Sequence, residues 1–166
     1  MNNKKTRICE LLGIKYPIIQ ASMAWITDAN LVATVSNAGG MGTLGPNAGA
    51  RTITGEVNEV GERLREQIRK VRKLSDKPFA VNFPTGWGET RRFSDRCVEV
   101  GIEEQIPVAI ISEGGPQIYT QKLKDAGLKV FHVIHTVEHA RKAEEAGVDA
   151  VITSGSEGGG HSGFEG

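Results

Sequence analysis

The 166-residue chain carries 20 Lys and Arg residues against 20 Asp and Glu residues, and 39% of its residues are hydrophobic. Zero net charge argues against a nucleic-acid or membrane partner, because both need a basic protein surface. The length is typical of one soluble domain. Its two cysteines, Cys9 and Cys97, lack the C-x-x-C spacing of zinc and redox motifs, which is typical of a protein of the reducing cytoplasm.

Six short runs rich in β-branched and apolar residues predict strands. In chain order they are Tyr16–Gln20, Met41–Leu44, Pro78–Asn82, Pro107–Ile111, Lys129–Ile134 and Asp149–Thr153. Each run is continuously apolar rather than alternating, which is the pattern of parallel strands buried on both faces.

Helices are predicted between these strands. Asp28 is the expected N-cap of one helix and Thr136 of another, and the longest helix is expected over about Ile53–Leu74, where apolar residues recur every three or four positions. The glycines expected to end helices are Gly39, Gly127 and Gly147. Alternating strands and helices with short connections predict a parallel α/β sheet with right-handed crossovers.

Two architectures fit this alternation. An open doubly wound sheet is complete with six strands, whereas a closed (β/α)8 barrel needs eight strands and about 250 residues. The strand count favours the open sheet. The placement of loops rich in Gly, Asn and His after strands one, three and six favours the barrel, in which all such loops face one mouth.

The stretch Ser154–Gly163 follows the last predicted strand and contains five glycines and one histidine, His161. Glycines let backbone N–H groups approach a ligand closely, and an imidazole is suited to taking or giving a proton near neutral pH. Glu157 is a candidate to orient His161 or to bind ligand hydroxyls. A flexible chain end is the alternative interpretation of the stretch.

Gly40–Gly45 matches the pattern G-x-G-x-x-G but lies in the wrong context for a dinucleotide site. That site requires the glycines to follow a strand and open a helix, whereas here a helix precedes them and Pro46 follows. We therefore predict that these glycines serve a helix end and a tight strand entry.

Two other segments could hold a flat ring. Gln20–Trp25 places small residues after the first strand, although core packing explains Met23 and Trp25 equally well. Asn82 ends the third strand with an amide able to read the edge of a heterocycle, or merely caps the loop.

A metal site and a serine hydrolase site are both unsupported. His132 and His135 point to opposite faces of a strand, and His139 belongs to the next helix, so we expect the three to have no common focus. Gly155–Gly158 is one residue short of the G-x-S-x-G elbow that a Ser/His/Asp hydrolase needs.

Four segments together resemble, in order and spacing, the nitronate monooxygenase family. They are Pro17–Trp25, Val35–Gly42, Phe79–Asn82 and Glu157–Gly163. This family, formerly called 2-nitropropane dioxygenase, includes the flavin-dependent enoyl-acyl-carrier-protein reductases. The resemblance implies a TIM barrel, (β/α)8, that holds FMN at its C-terminal mouth. Residues 1–166 would then be a single FMN-binding domain with about six βα units, incomplete because strands seven and eight are absent.

The resemblance also implies site residues. It makes His161 the catalytic residue, and it implies no metal. The cofactor-binding residues would be Ala21, Ser22, Met23, Ala24 and Asn82, together with Ser154, Gly158 and Gly159 after strand six. Ser154 stands where many members of the family carry glutamine, and Ser22 replaces the usual Pro or Gly.

The implied activity is oxidation of small nitronates or nitroalkanes by oxygen through FMN and His161. An alternative is an FMN- and NAD(P)H-dependent enoyl-ACP reductase of fatty acid synthesis, which Met23–Ile26 somewhat resembles. A second alternative is an inactive truncated α/β module whose open sheet edges pair with another copy or chain. Because two strands are missing, we expect the chain to be a fragment or an incompletely represented protein that by itself binds FMN poorly or not at all.

Overall fold

The computed structural model describes residues 6–155, 158 and 159. The chain has an α/β fold and divides into two compact units, Met1–Asn82 and Phe83–Gly166. The first unit contains the helices α1 (Arg7–Leu12), α2 (Ala29–Asn37) and α3 (Val57–Leu74) and the strands β1 (Gly42–Leu44) and β2 (Phe79–Pro84), the last two residues of which belong to the second unit. The second unit contains α4 (Arg91–Glu103), β3 (Val108–Ser112), α5 (Thr120–Asp125), β4 (Lys129–Ile134), α6 (Val137–Glu145) and β5 (Ala150–Thr153).

The five strands form a parallel sheet in which they follow chain order from β1 to β5. In the first unit, β1 pairs with β2 so that Leu44 lies opposite Val81. In the second unit, β4 lies between β3 and β5. The expected parallel sheet is therefore confirmed, and its buried strands supply much of the core.

The first predicted strand, Tyr16–Gln20, is wrong as a strand. The structure reduces it to one parallel bridge between Ile19 and Met41. Pro17 has no N–H to donate, and the N–H of Ile18 turns back to the carbonyl oxygen of Tyr16 at 2.7 Å. Only two backbone hydrogen bonds to Met41 remain, one from the N–H of Gln20 and one to the carbonyl of Ile18, each at 2.9 Å. The segment therefore does not extend into a strand.

The predicted helix caps are confirmed. The Asp28 side chain accepts hydrogen bonds from the backbone N–H groups of Asn30 and Leu31 at 3.0 and 3.1 Å. Thr136 accepts one from the N–H of His139 at 3.1 Å. The predicted terminal glycines all have positive φ, at +101° for Gly39 and +81° for Gly127 and Gly147. Local side-chain chemistry thus fixes these helix ends.

The longest helix begins at Val57, four residues later than expected. Thr54 is the reason, because its hydroxyl accepts the N–H of Glu56 at 3.1 Å and forms a local turn that competes with helix. The polar face carries ion pairs such as Arg63 with Glu59 at 2.6 Å. Among the described residues, no helix is both long and apolar enough to cross a membrane.

Candidate functional site

The glycines of Gly40–Gly45 allow close contact between backbone segments. A Cβ atom on Gly42 would lie 2.6 Å from Cα of Val32 in α2, and one on Gly45 would lie 2.8 Å from the carbonyl oxygen of Met23. Neither spacing is tolerated by real side chains, so both positions require glycine. The prediction of a tight strand entry is confirmed at Gly42, the first residue of β1.

The contact at Gly45 places the segment Ala21–Ala24 beside the end of β1. Two polar residues hold this segment. The Gln20 amide oxygen accepts the N–H of Thr43 in β1 at 3.1 Å, while its amide nitrogen donates to the carbonyl of Ala21. Thr27, fully buried, accepts the N–H of Met23 at 2.7 Å through its hydroxyl. Sequence reasoning did not assign this role to Gln20 or Thr27.

The segment presents backbone donors that the protein itself leaves unused. The N–H groups of Ala21, Ser22 and Ala24 donate to no acceptor within the described part of the chain. Their side chains are small, so a planar ligand can approach the backbone without meeting bulk. Such donors suit the carbonyl oxygens and ring nitrogens of a heterocycle.

Asn82 lies at the same edge of the first unit. It follows Val81, which pairs with Leu44, and Leu44 immediately precedes the glycine that touches Met23. The Asn82 side chain is half-buried and makes no hydrogen bond to any described residue. The unit thus brings an unpartnered amide to the same end of β1 and β2 as the segment Ala21–Ala24.

Three further predicted residues lie in the second unit. Ser154 follows β5, and its carbonyl oxygen lies 2.9 Å from Nδ1 of His135. The backbone of Gly158 packs against the Ser154 hydroxyl, where a Cβ atom would collide, and its N–H donates to Gly155 at 3.0 Å. Gly159 is exposed and has open space where a side chain would be. Ser154 and Gly158 are therefore brought together in one turn.

His161 and Glu157 lie outside the described residues. The assignment of His161 as the catalytic residue stays a prediction, as does the supporting role of Glu157.

A buried histidine lies on β4. His132 is fully buried, and its Nδ1 lies 2.7 Å from the carbonyl oxygen of Val133, while its Nε2 has no partner among the described residues. Its ring meets that of His139 edge to face, with centroids 6.2 Å apart. This contact between two of the three histidines was not predicted, and it arises because α6 packs on β4. Within the described ranges, no group of three or more His, Cys, Asp or Glu side chains could hold a metal ion.

Burial lowers the pKa of His132 below its ordinary value of 6.5, and the nearby His139 lowers it further, although the bond to Val133 opposes them. The unfolded chain therefore takes up a proton at this residue before the folded protein does. We expect the free energy of unfolding, measured by urea denaturation, to fall as the pH drops below 6.5.

A His132→Leu variant should lose less stability over that window, because the buried titratable ring is gone. His139→Gln is the matched control and should keep most of the pH dependence. An unchanged pH profile in His132→Leu would contradict the assignment.

Comparison with known proteins decides the family. Residues 5–166 match the family described as Nitronate monooxygenase. The chain belongs to this family.

The chain is also similar to solved structures and to curated proteins. FabK from Thermotoga maritima superposes with a TM-score of 0.84 at 39% identity, over 97% of this chain and 47% of FabK. A (3aS,4S,5R,7aS)-5-hydroxy-7a-methyl-1-oxo-octahydro-1H-indene-4-carboxyl-CoA dehydrogenase of Mycobacterium tuberculosis is 38% identical over 96% of the chain and 41% of its own length. A probable nitronate monooxygenase of Staphylococcus saprophyticus is 36% identical over 95% of the chain and 51% of its own length.

These relatives define the architecture. FabK and the nitronate monooxygenases are TIM-barrel flavin enzymes, and the present chain spans about half the length of the curated relatives it matches. The chain therefore has the fold of part of a barrel, as the resemblance implied, and the open doubly wound sheet is excluded.

Proposed function

We propose that the protein binds FMN and oxidises nitronates with oxygen, in the manner of a nitronate monooxygenase. One observation carries this proposal. The unused backbone donors of Ala21, Ser22 and Ala24 and the unpartnered amide of Asn82 lie at the same end of the paired strands β1 and β2. A flavin ring offers both acceptors and a donor along its edge, and an amide side chain supplies the complementary pair. The residues present therefore fit the cofactor.

Each residue has a distinct role in this proposal. Met23 adds van der Waals contact with the ring, and Ser154, Gly158 and Gly159 are kept as cofactor-binding residues on the family resemblance alone. Bound FMN would supply the redox chemistry that couples oxidation of the substrate to reduction of oxygen. His161 handles the proton: its neutral ring removes one from the carbon next to the nitro group, and its protonated ring stabilises the anionic nitronate.

The second candidate function is reduction of an enoyl thioester with NAD(P)H as the electron source. Its support is the similarity to FabK, an enoyl-ACP reductase, and to a dehydrogenase whose name specifies a carboxyl-CoA substrate. The same FMN site serves both reactions, so the two candidates differ in substrate rather than in cofactor.

Location and assembly belong to the same proposal. Cys9 and Cys97 are both unpaired, and burial raises the pKa of the Cys97 thiol to about 11, so it is unreactive. Unpaired thiols of this kind suit the reducing cytoplasm. We also propose that copies associate through open sheet edges, since unpaired backbone groups on an edge strand are available to another chain.

Flavin titration tests the cofactor site. Where FMN binds, its fluorescence should be quenched, and an Asn82→Ala variant should bind about tenfold more weakly because it lacks the amide proposed to hydrogen-bond the edge of the ring. Asn58→Ala, on the exposed face of α3, is the control and should bind FMN as the wild type does. Quenching by the wild-type protein that is unchanged in Asn82→Ala would overturn the proposed site.

Turnover assays separate the two candidates. Oxygen consumption with propyl-2-nitronate supports the monooxygenase, whereas oxidation of NADH or NADPH that depends on crotonyl-CoA supports the reductase.

A further inference from the structure

Trp25 has a backbone conformation that bulky residues rarely adopt. Its φ is +69°, in the left-handed region that favours glycine or asparagine. Strain of this kind persists only where the surroundings enforce it, and it concentrates at functional sites. The residue follows directly on the segment Ala21–Ala24.

Backbone hydrogen bonds enforce the conformation. The N–H of Trp25 donates to the carbonyl of Pro46 at 3.0 Å, and the N–H groups of Ile26 and Thr27 both donate to the carbonyl of Met23, at 3.1 and 3.0 Å. Any residue, including glycine, can make these bonds. The fold therefore requires the turn but does not require an indole on it.

The indole of Trp25 is not buried in the core either. Trp25 and Met23 each remain 40% exposed, and Ile26 is 66% exposed. These three side chains form what we call the apolar loop. Residues 21–27 contain no charge, and the next charged residue, Asp28, is engaged as the cap of α2. Several exposed apolar side chains in a short uncharged segment beside a proposed binding site are typical of a ligand contact.

We propose that the apolar loop binds the alkyl chain of the substrate, with Trp25 as the residue that determines chain-length specificity. This inference rests on the proposed function, because the adjoining segment Ala21–Ala24 is proposed to line FMN. The alkyl chain can belong to a long-chain nitronate or to an acyl thioester, and the loop recognises what the two have in common. It lacks the cations that would select a phosphorylated carrier.

Tryptophan fluorescence tests the inference directly. In a Trp87→Phe background, Trp25 is the remaining tryptophan. We expect decanoyl-CoA to shift the emission to the blue and to bind at least tenfold more tightly than acetyl-CoA, since burial of two methylene groups suffices for that factor. The same comparison is made between 1-nitrodecane and nitroethane. A preference in both pairs supports recognition of the alkyl chain, and the pair with the larger preference identifies the substrate as a thioester or a nitro compound.

A Trp25→Gly variant in the wild-type background, which retains Trp87, tests the role of the indole. Its binding is measured by equilibrium dialysis, and its affinities for the long and short chains should differ by no more than about twofold. Glycine accepts φ of +69°, so the variant should fold, and an unchanged or higher Tm would show that it does. Trp25→Phe should restore most of the preference. Equal binding of long and short chains by the wild type, or an undiminished preference in Trp25→Gly, would overturn the inference.

FMN titration of the same samples keeps this result separate from the proposed function. Normal flavin binding without a chain-length preference overturns only the inference about Trp25. A chain-length preference that depends on Trp25 upholds the apolar loop even where no flavin binding is measured, because it is read without the cofactor.

Discussion

Replacing Gly42 by alanine is expected to lower the free energy of unfolding by about 3 kcal/mol, the upper part of the range for overpacking a core. The added Cβ would meet the Val32 backbone, 2.6 Å from its Cα and 2.9 Å from its carbonyl carbon. Neither β1 nor α2 can move easily to relieve this contact. Gly42 is paired with Phe79 in the sheet, and its N–H donates to the buried hydroxyl of Ser36 at 3.1 Å, which in turn donates to Pro78 at 2.9 Å.

Urea denaturation of Gly42→Ala beside Gly55→Ala measures this effect. Gly55 has nothing within 4 Å of the position where its Cβ would lie, and its φ is not in the left-handed region. Alanine there should be neutral or stabilise by about 0.5 kcal/mol, because it restricts the unfolded chain. Equal effects of the two substitutions would show that α2 and β1 are not held in close contact.

The features that could be predicted from sequence are those fixed by short-range chemistry. A carboxylate or hydroxyl that can accept from N–H groups two or three residues ahead predicts a helix start, and Asp28 and Thr136 do so here. The strand Lys129–Ile134 has the predicted bounds because its apolar run is buried along most of its length. In contrast, Tyr16–Gln20 is apolar but cannot form a ladder, since Pro17 and the turn at Ile18 remove its donors.

The supports of the candidate site depend on long-range contacts, which explains why sequence reasoning found the segment Ala21–Ala24 but not what holds it. Gln20 bonds the N–H of Thr43, a residue 23 positions along the chain. The signals available in the sequence were an amide side chain at the end of an apolar run and a threonine a few residues after it. Neither signal identifies its partner, because the partner is set only when β1 lies beside the segment.

The burial of His132 against His139 was missed for the same reason. Alternation along a strand correctly separates the faces of neighbouring residues. It does not say which residue of the following helix packs onto a given face. The ring contact arises from the packing of α6 on β4.

Substitution of His161 by alanine is expected to lower turnover of nitronate or thioester by about 100-fold or more, the usual contribution of a proton-transferring side chain. FMN affinity should change by less than about twofold, because His161 makes none of the proposed contacts to the cofactor. A loss of turnover without a loss of flavin therefore assigns His161 to the chemical step rather than to cofactor binding.

Two further measurements make the result specific to the imidazole. Free imidazole added to His161→Ala should restore part of the turnover, because it can occupy the space of the missing ring and transfer the proton. His139→Ala is the matched control, since it also removes an imidazole, but one in contact with His132 on the α6 side of β4, and its turnover should equal that of the wild type. Undiminished turnover in His161→Ala would remove this residue from the mechanism, and the proton would then have to be carried by another group.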